Sequence, residues 1–215
     1  MSERPPACAC LQALLERQGY RELAAVQLFS SGVALAPTLD EKQMLARHCL
    51  DELEHFEIIA TLLEEQGGGD LMSRVSPRVA ELPSPETWLE MVVVGILFDR
   101  AVYYQLRAYA AAPDARVAEL AVRVIADEQE HIAASQAALR DLGKREPDFV
   151  HRLSTAVDRW LPTSLACFDD EALPACPAGP HVSSEARDVA LRTYRESLAE
   201  LLGPQGVSPE RFLAK

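Results

Sequence analysis

One five-residue pattern, Asp-Glu-x-Glu-His, occurs twice in the sequence, at residues 51–55 and at residues 127–131. With twelve Asp, twenty-one Glu and five His among 215 residues, chance would produce a second copy in roughly 0.3% of sequences of this composition. In both copies a glutamate lies three residues before the histidine, so a helix would direct the two side chains to one face. A carboxylate and an imidazole that point the same way are suited to bind a metal ion. The repeat therefore predicts four metal ligands: Glu52, His55, Glu128 and His131.

Two further carboxylates precede these ligands at matching distances. Glu22 lies 30 residues before the first ligand glutamate, and Asp99 lies 29 residues before the second. Asp99 directly follows the apolar run 91–98, and an ionised carboxylate on such a helix is costly unless it is paired or bound to a metal. Considered alone, Glu22 would be assigned to the solvated surface beside Arg21, but the matched spacing favours a ligand. We therefore expect six metal ligands on four helices: Glu22, Glu52, His55, Asp99, Glu128 and His131.

The composition of this ligand set indicates which metal it binds. Four carboxylates and two imidazoles suit iron or manganese better than zinc, which prefers four-coordinate sites richer in nitrogen or sulfur. We expect two metal ions bridged by carboxylates. Asp51 and Asp127 begin the two copies of the repeat, and we expect each to hydrogen-bond the ligand histidine of the opposite hairpin, which would fix its tautomer. A surface role for both aspartates is the alternative.

Residues one helical turn from the ligands are predicted to border the open side of the metals. This set comprises Gln18, Val26, Phe29, Gly95 and Tyr103. Gly95 would either leave space beside Asp99 for dioxygen or substrate, or only permit close helix packing. Tyr103 would either donate a hydrogen bond near the metals or belong to the core, and the core is favoured.

The elements that must position these ligands are helices, because apolar residues recur at spacings of three and four and not in alternation. Thr38 with Glu41 matches a capping box at one helix start, and Ser84 with Pro85 matches another start. Four long helices are expected at about 7–29, 38–66, 84–111 and 114–143, with residues 67–83 as a crossover between two antiparallel hairpins. Together with the ligand set, this predicts an all-α, ferritin-like four-helix bundle. Helices at about 147–160 and 184–202, and a last turn from 208, would pack on the bundle, so residues 1–215 would form one domain.

The overall charge restricts the classes of partner. The chain has 33 acidic and 21 basic residues and a net charge of -12, which disfavours nucleic acid. The apolar run 91–98 is far shorter than the roughly 20 residues that span a bilayer. Residues 1–18 lack the apolar segment of a secretory signal. We therefore expect a cytoplasmic protein that does not contact a membrane.

Five cysteines stand at positions 8, 10, 49, 167 and 176. Their odd number and irregular spacing favour reduced thiols with structural roles. Cys8 and Cys10 could mark a metal or redox pair, but no second pair of Cys or His lies near them in the sequence to complete a tetrahedral site. A structural role is therefore expected for these two as well.

The segments that hold the predicted ligands resemble a known family, the ferritin-like proteins of phenylacetate catabolism, which include the oxygenase subunits of phenylacetyl-CoA epoxidase. The resemblance lies in residues 21–22, 51–56, 98–101 and 127–132 and continues into 158–162 and Phe168, so it covers most of the chain. It implies that the six ligands hold a non-haem di-iron centre that activates dioxygen. The chain is shorter than expected for a catalytic epoxidase subunit and lacks a cluster of Lys and Arg for coenzyme A, so a CoA-thioester substrate is not implied.

Residues 52–56 also resemble tRNA hydroxylases with a similar bundle. The net charge argues against a tRNA partner, although a basic patch around Arg74, Arg78 and Arg100 could partly offset it. A tRNA-modifying hydroxylase is therefore an alternative function.

We expect a di-iron monooxygenase that uses O2 to hydroxylate or epoxidise a small organic substrate. Two iron ions, or a manganese-containing pair, would be the cofactors. Electrons would come from an external donor such as a separate reductase, because no flavin, nicotinamide or iron–sulfur motif is recognisable. A ferroxidase or iron-handling protein would use the same ligands, and a metal-free interaction subunit would use none. The apolar C-terminal helices favour a homodimer.

Overall fold

The computed structural model describes residues 8–168 and 181–213 of the chain. Within these ranges the chain forms eight α-helices, one 3-10 turn and no strand, which confirms the all-α prediction. The helices are α1 (Ala9–Gly32), α2 (Leu39–Glu65), α3 (Leu71–Val79), α4 (Trp88–Ala110), α5 (Ala115–Arg145), α6 (Phe149–Leu165), α7 (Ser184–Leu202) and α8 (Glu210–Leu213), with the 3-10 turn at Gly203–Gln205. Cys176 and the role predicted for it lie outside the described residues.

Four long helices form the bundle, α1 paired with α2 and α4 paired with α5. The most buried of them is α4, in which every residue from Met91 to Val102 is buried. A helix that is apolar on all sides needs cover on all sides. Two C-terminal helices, α6 and α7, supply it by packing against α4, with Trp160 and Tyr194 fully buried.

The start of α2 follows the expected capping box. The Thr38 side chain accepts from the Glu41 backbone N–H at 3.2 Å, and the Glu41 carboxylate accepts from the Thr38 N–H at 3.0 Å. The start of α4 differs from the prediction, because the helix begins at Trp88 with Thr87 as its cap and not at Ser84. Thr87 accepts from the backbone N–H of Glu90 at 3.2 Å, so a second capping signal lies three residues after the predicted one and is the one used.

The crossover contains a helix that the sequence analysis did not predict. Asp70 caps α3 by accepting from the backbone N–H of Met72 and Ser73. Its short apolar stripe is buried and packs against α1. Gly19 makes this approach possible, since a Cβ atom there would lie 2.5 Å from a methyl carbon of Leu71.

Three helices extend beyond their predicted ends, and the first of them is α1, which continues past residue 29 to Gly32. Gly143 does not terminate α5, which continues to Arg145. A glycine that ends a helix commonly adopts a positive φ. Gly67 after α2 does so, with φ 72°, but Gly143 does not. Likewise α6 continues past Trp160 and includes Pro162. None of the described helices combines the length and the hydropathy needed to cross a membrane.

Candidate metal centre

The structure brings the six predicted ligands together inside the bundle. Each is between 1% and 6% exposed. Glu22 comes from α1, Asp99 from α4, and one Glu-x-x-His pair from each of α2 and α5. Ligand atoms of four residues lie within 4.8 Å of one another: Glu22, Glu52, His55 and Glu128. The bundle therefore concentrates carboxylates away from water, where their negative charges are costly unless protons or a cation neutralise them.

Several polar atoms in this cluster lack a hydrogen-bond partner among the described residues. These buried atoms are Glu22 Oε2, both carboxylate oxygens of Glu128, Asp99 Oδ2, His55 Nδ1 and His131 Nδ1. An unsatisfied buried polar group costs roughly 1–3 kcal/mol, so a cation that engaged these six atoms would remove part of that cost. Oxygen and imidazole donors of this kind fit iron or manganese. The residues present therefore fit a pair of such ions.

Both predicted aspartates contact the histidine of the opposite hairpin. His55 Nε2 is 3.1 Å from Asp127 Oδ2, and His131 Nε2 is 3.1 Å from Asp51 Oδ2. An Nε2–H that donates to a carboxylate leaves Nδ1 bare. The Nδ1 atoms face the centre, since His55 Nδ1 is 3.6 Å from a Glu22 oxygen and His131 Nδ1 is 3.4 Å from a Glu52 oxygen.

His48 is a further residue of the centre that the sequence analysis did not identify. Its Nε2 lies 2.9 Å from Glu52 Oε1 and 3.7 Å from Asp99 Oδ1, and its side chain is buried. Its ring is stacked between Phe29, at 3.7 Å, and His131, at 3.5 Å. Together with Glu52 and His131, it forms a second group of potential ligands within 4.8 Å. Its position four residues before Glu52, on the same helical face, is the signal that could have found it.

Glu52 belongs to both ligand groups and differs electrostatically from its neighbours. Burial acts to raise its pKa, but contacts with three histidine side chains lower the pKa well below its usual value. In contrast, burial raises the pKa of Glu22 to about 7 and that of Asp99 to about 6. Burial, reinforced by the charge of Glu52, raises the pKa of Glu128 well above its usual value.

The ligand histidines compensate part of this negative charge. Burial acts against the charged imidazole, but contacts with carboxylates outweigh it and raise the pKa of His55 to about 11 and that of His131 to about 9. The metal-free centre thus retains protons on both imidazoles and on some carboxylates. Metal ions would displace these protons.

The residues predicted to border the centre fall into different environments. Gln18 is buried, and its side chain donates to Glu22 Oε1 at 2.6 Å while accepting from Arg21 at 3.0 Å. It therefore orients a ligand carboxylate. Phe29 covers the His48 ring, and Val26 is half-buried.

Gly95 and Tyr103 each had two possible roles. A Cβ atom at Gly95 would lie 2.3 Å from the Ser135 hydroxyl and 3.5 Å from Asp99 Oδ2, so the space beside this glycine is taken by α5, as in the packing alternative. Tyr103 is half-buried, and its hydroxyl accepts from the Gln129 side chain at 3.1 Å. Among the described residues, the Tyr103 hydroxyl thus contacts Gln129 and not a predicted ligand of the centre.

The basic patch suggested for a tRNA partner is not formed as expected. Arg100 is only 6% exposed, within α4. Arg74 pairs with Glu16 at 2.8 Å, and Arg78 lies over the ring of Tyr20. The three arginines therefore do not share one solvent-facing surface.

Two helices of the bundle each direct one carboxylate to a buried point, and the other two each direct a Glu-x-x-His pair to it. This is the architecture of ferritin-like di-metal proteins. The chain belongs to the phenylacetic acid catabolic protein family, whose sequence model matches residues 4–199. This confirms the expected resemblance, and membership indicates an oxidative di-iron enzyme.

A solved structure with the same fold is a protein from Synechococcus described as having aldehyde deformylating oxidase activity. The two chains are 19% identical with a TM-score of 0.71, and the match covers 96% of this chain and 97% of the other. At this identity the likeness establishes the fold. The comparison with curated proteins gave no match.

Proposed function

We propose that the centre binds two iron ions and that the protein is a monooxygenase, which uses dioxygen to hydroxylate or epoxidise a small organic substrate. The observation that carries this proposal is the set of buried, unsatisfied oxygen and nitrogen atoms that face one another at the middle of the bundle. Family membership supports the oxidative chemistry. Electrons would be delivered by a separate reductase.

The proposal places the two ions at the two groups of potential ligands. One position would be held by Glu22, His55 and Glu128, and the other by His48 and His131, with Asp99 beside them because its Oδ1 is 3.7 Å from His48 Nε2. Glu52 belongs to both groups and would contribute to both positions. His48 is included because its Nε2 atom points at the same Glu52 oxygen that faces His131 Nδ1. The second position would therefore be richer in nitrogen than the first.

Residues around the ligands have separate tasks. Asp51 and Asp127 would each hold an imidazole with Nε2–H toward the carboxylate, so that Nδ1 faces the centre and can bind a metal ion once its proton is displaced. Gln18 fixes one oxygen of Glu22 by donating to it. Burial keeps water away from the charged groups, which strengthens their interaction with a cation. The bound irons would supply the reduction of dioxygen and the transfer of an oxygen atom to the substrate.

Metal content and spectrum after reconstitution test this proposal. Metal-depleted protein is loaded anaerobically with ferrous iron, iron per chain is measured by mass spectrometry, and the visible spectrum is recorded after oxygen is added. We expect about two irons per wild-type chain and a marked loss in Asp99→Ala and Glu128→Ala. Glu54→Ala and Glu130→Ala remove exposed glutamates of the same repeat and serve as matched controls.

The outcomes distinguish the alternatives. Fewer than about one iron per wild-type chain would contradict the di-iron centre and favour a metal-free interaction subunit. A parallel reconstitution with manganese shows which ion the centre prefers. Rapid oxidation of ferrous iron without organic substrate, together with a large assembly by light scattering, would favour a ferroxidase over a monooxygenase.

A further inference from the structure

A second cluster of metal-ligating side chains lies apart from the bundle centre and shares no residue with it. Cys8 is the N-cap residue of α1, Cys10 lies in the first turn of that helix, and His181 lies just before α7. The two sulfur atoms and a ring nitrogen are within 4.8 Å of one another. Cys8 Sγ is 3.2 Å from His181 Nε2, although 173 residues separate the two in sequence.

The imidazole of this cluster has the orientation of a metal ligand. His181 Nδ1 is 2.7 Å from Asp114 Oδ2. Arg116 in turn fixes Asp114, with Nη2 2.7 Å from Oδ2 and Nε 3.0 Å from Oδ1. An Nδ1–H that donates to a carboxylate leaves the lone pair on Nε2, the atom that faces Cys8 Sγ. A carboxylate behind a histidine in this way is typical of zinc sites.

The donor atoms indicate which metal this cluster prefers. Two thiolates and an imidazole are a soft set that favours zinc over the oxygen-preferring ions. With Zn–S near 2.3 Å and Zn–N near 2.0–2.1 Å, tetrahedral ligands lie about 3.5–3.8 Å apart. The 3.2 Å between Cys8 Sγ and His181 Nε2 needs to open by only a few tenths of an ångström. Cys10 and His181 are buried, at 3% and 5% exposure, as expected for a structural site.

A catalytic thiol is the other chemistry that Cys8, His181 and Asp114 could perform. A nucleophile requires one thiolate beside a base. The sulfur of Cys10 lies within 4.8 Å of both groups. A thiolate–base pair does not require this second sulfur, whereas a tetrahedral metal ion uses it as a ligand.

We propose that Cys8, Cys10 and His181 bind a zinc ion, with one tetrahedral position left for a further donor. The ion ties the start of α1 to the segment before α7 and, through Asp114, to the start of α5. It is independent of the iron centre, so the chain would sort two metals by donor type: soft sulfur and nitrogen at this cluster and carboxylate oxygen in the bundle.

Cobalt substitution of the full-length protein tests the proposal, because Co²⁺ bound by thiolate gives an intense sulfur-to-cobalt charge-transfer band that an oxygen and nitrogen centre does not give. We expect this band in wild type and in Glu128→Ala, with stoichiometric displacement by zinc. Cys8→Ser, Cys10→Ser and His181→Ala should lose it or bind at least tenfold more weakly. Cys49→Ser and His151→Ala, which alter a cysteine and a histidine elsewhere, should retain it.

A measurement on unmodified protein keeps the proposal falsifiable if a variant fails to fold. Wild type is alkylated with iodoacetamide with and without zinc, and the modified cysteines are identified by mass spectrometry. Zinc should slow modification of Cys8 and Cys10 at least tenfold and leave Cys49 unchanged. Absence of the charge-transfer band in wild type, or fast alkylation of Cys8 that zinc does not slow, would overturn the zinc site; the second result would indicate a reactive thiol.

Discussion

Two clusters of metal-ligating side chains in this molecule are built on opposite plans. In the bundle centre, regular helices carry every predicted ligand, and carboxylates outnumber imidazoles. In the Cys8–Cys10–His181 cluster, the ligands come from a helix end and from the segment before another helix, and they are mainly sulfur. Helical periodicity therefore sets the first cluster, whereas the second exists only because distant segments of the chain meet.

In one respect the two clusters are alike: an aspartate lies beside a histidine in each of them. Asp51, Asp127 and Asp114 each lie within hydrogen-bonding distance of one ring nitrogen, and the other ring nitrogen faces the potential ligands of its own cluster. The surrounding donors, and not the histidines, thus distinguish the two sites.

Glu52→Ala should have the largest effect, because Glu52 is the one residue placed in both ligand groups of the bundle centre. We expect iron content to fall to background while cobalt binding at the Cys8–Cys10–His181 cluster stays unchanged. The measurement is metal content per chain with Glu54→Ala as the control, since Glu54 is exposed on the same helix. Retention of one iron would show that Glu52 does not serve both metal positions.

The sequence predicts the cluster built on helical periodicity better than the cluster built where distant segments meet. The six predicted ligands, which the structure brings together, could be proposed from the sequence because each Glu-x-x-His pair lies within one helical turn and because Asp99 is conspicuous in an apolar run. His48 escaped the repeat-based search, since the equivalent position in the second copy, 76 residues later, is the buried Val124.

Features that depend on tertiary contact were beyond the sequence analysis. Nothing in the chain between Cys8 and His181 signals that the two side chains meet. The helix α3 was missed because its apolar stripe is too short to distinguish it from a loop in the sequence alone. Its position depends on a tertiary contact, in which Leu71 fills the space that Gly19 leaves. The start of α4 was misplaced because two capping signals overlap.

His48→Ala should remove one iron and leave the other. His48 contacts Glu52 and Asp99 but is absent from the ligand group of Glu22 and His55. We expect about half the wild-type iron and a Mössbauer spectrum that loses one of two distinct sites. Two irons with an unchanged spectrum would mean that His48 only positions Glu52. His151→Ala, which removes an exposed histidine of α6, is the matched control.

Removing the aspartates that orient the histidines should weaken metal binding without abolishing it. Asp51→Ala and Asp127→Ala should each lower iron affinity about 10–100-fold, and Asp114→Ala should lower zinc affinity by a similar factor. Titration with a competing chelator measures all three. Asp114 also caps α5, so Asp70→Ala, which removes the cap of α3, controls for loss of capping. Equal loss of zinc in both cap variants would contradict an orienting role.

The smallest effect is a pH dependence of the metal-free bundle. Burial raises the pKa of Glu22 from 4.5 to about 7, so between these values the folded state holds a proton that the unfolded chain releases, and stability falls as pH rises. Burial acts to lower the pKa of His131, but contacts with carboxylates outweigh it and raise this pKa from 6.5 to about 9. The protonated imidazole therefore stabilises the folded state fully below pH 6.5, and this contribution is lost as pH rises through 9. In chelator, calorimetry should show a melting temperature lower by about 5 °C or more at pH 9 than at pH 6. Iron-loaded protein should not show this decline, because the cations replace those protons; an equal decline with and without iron would mean that the metals do not bind at these residues.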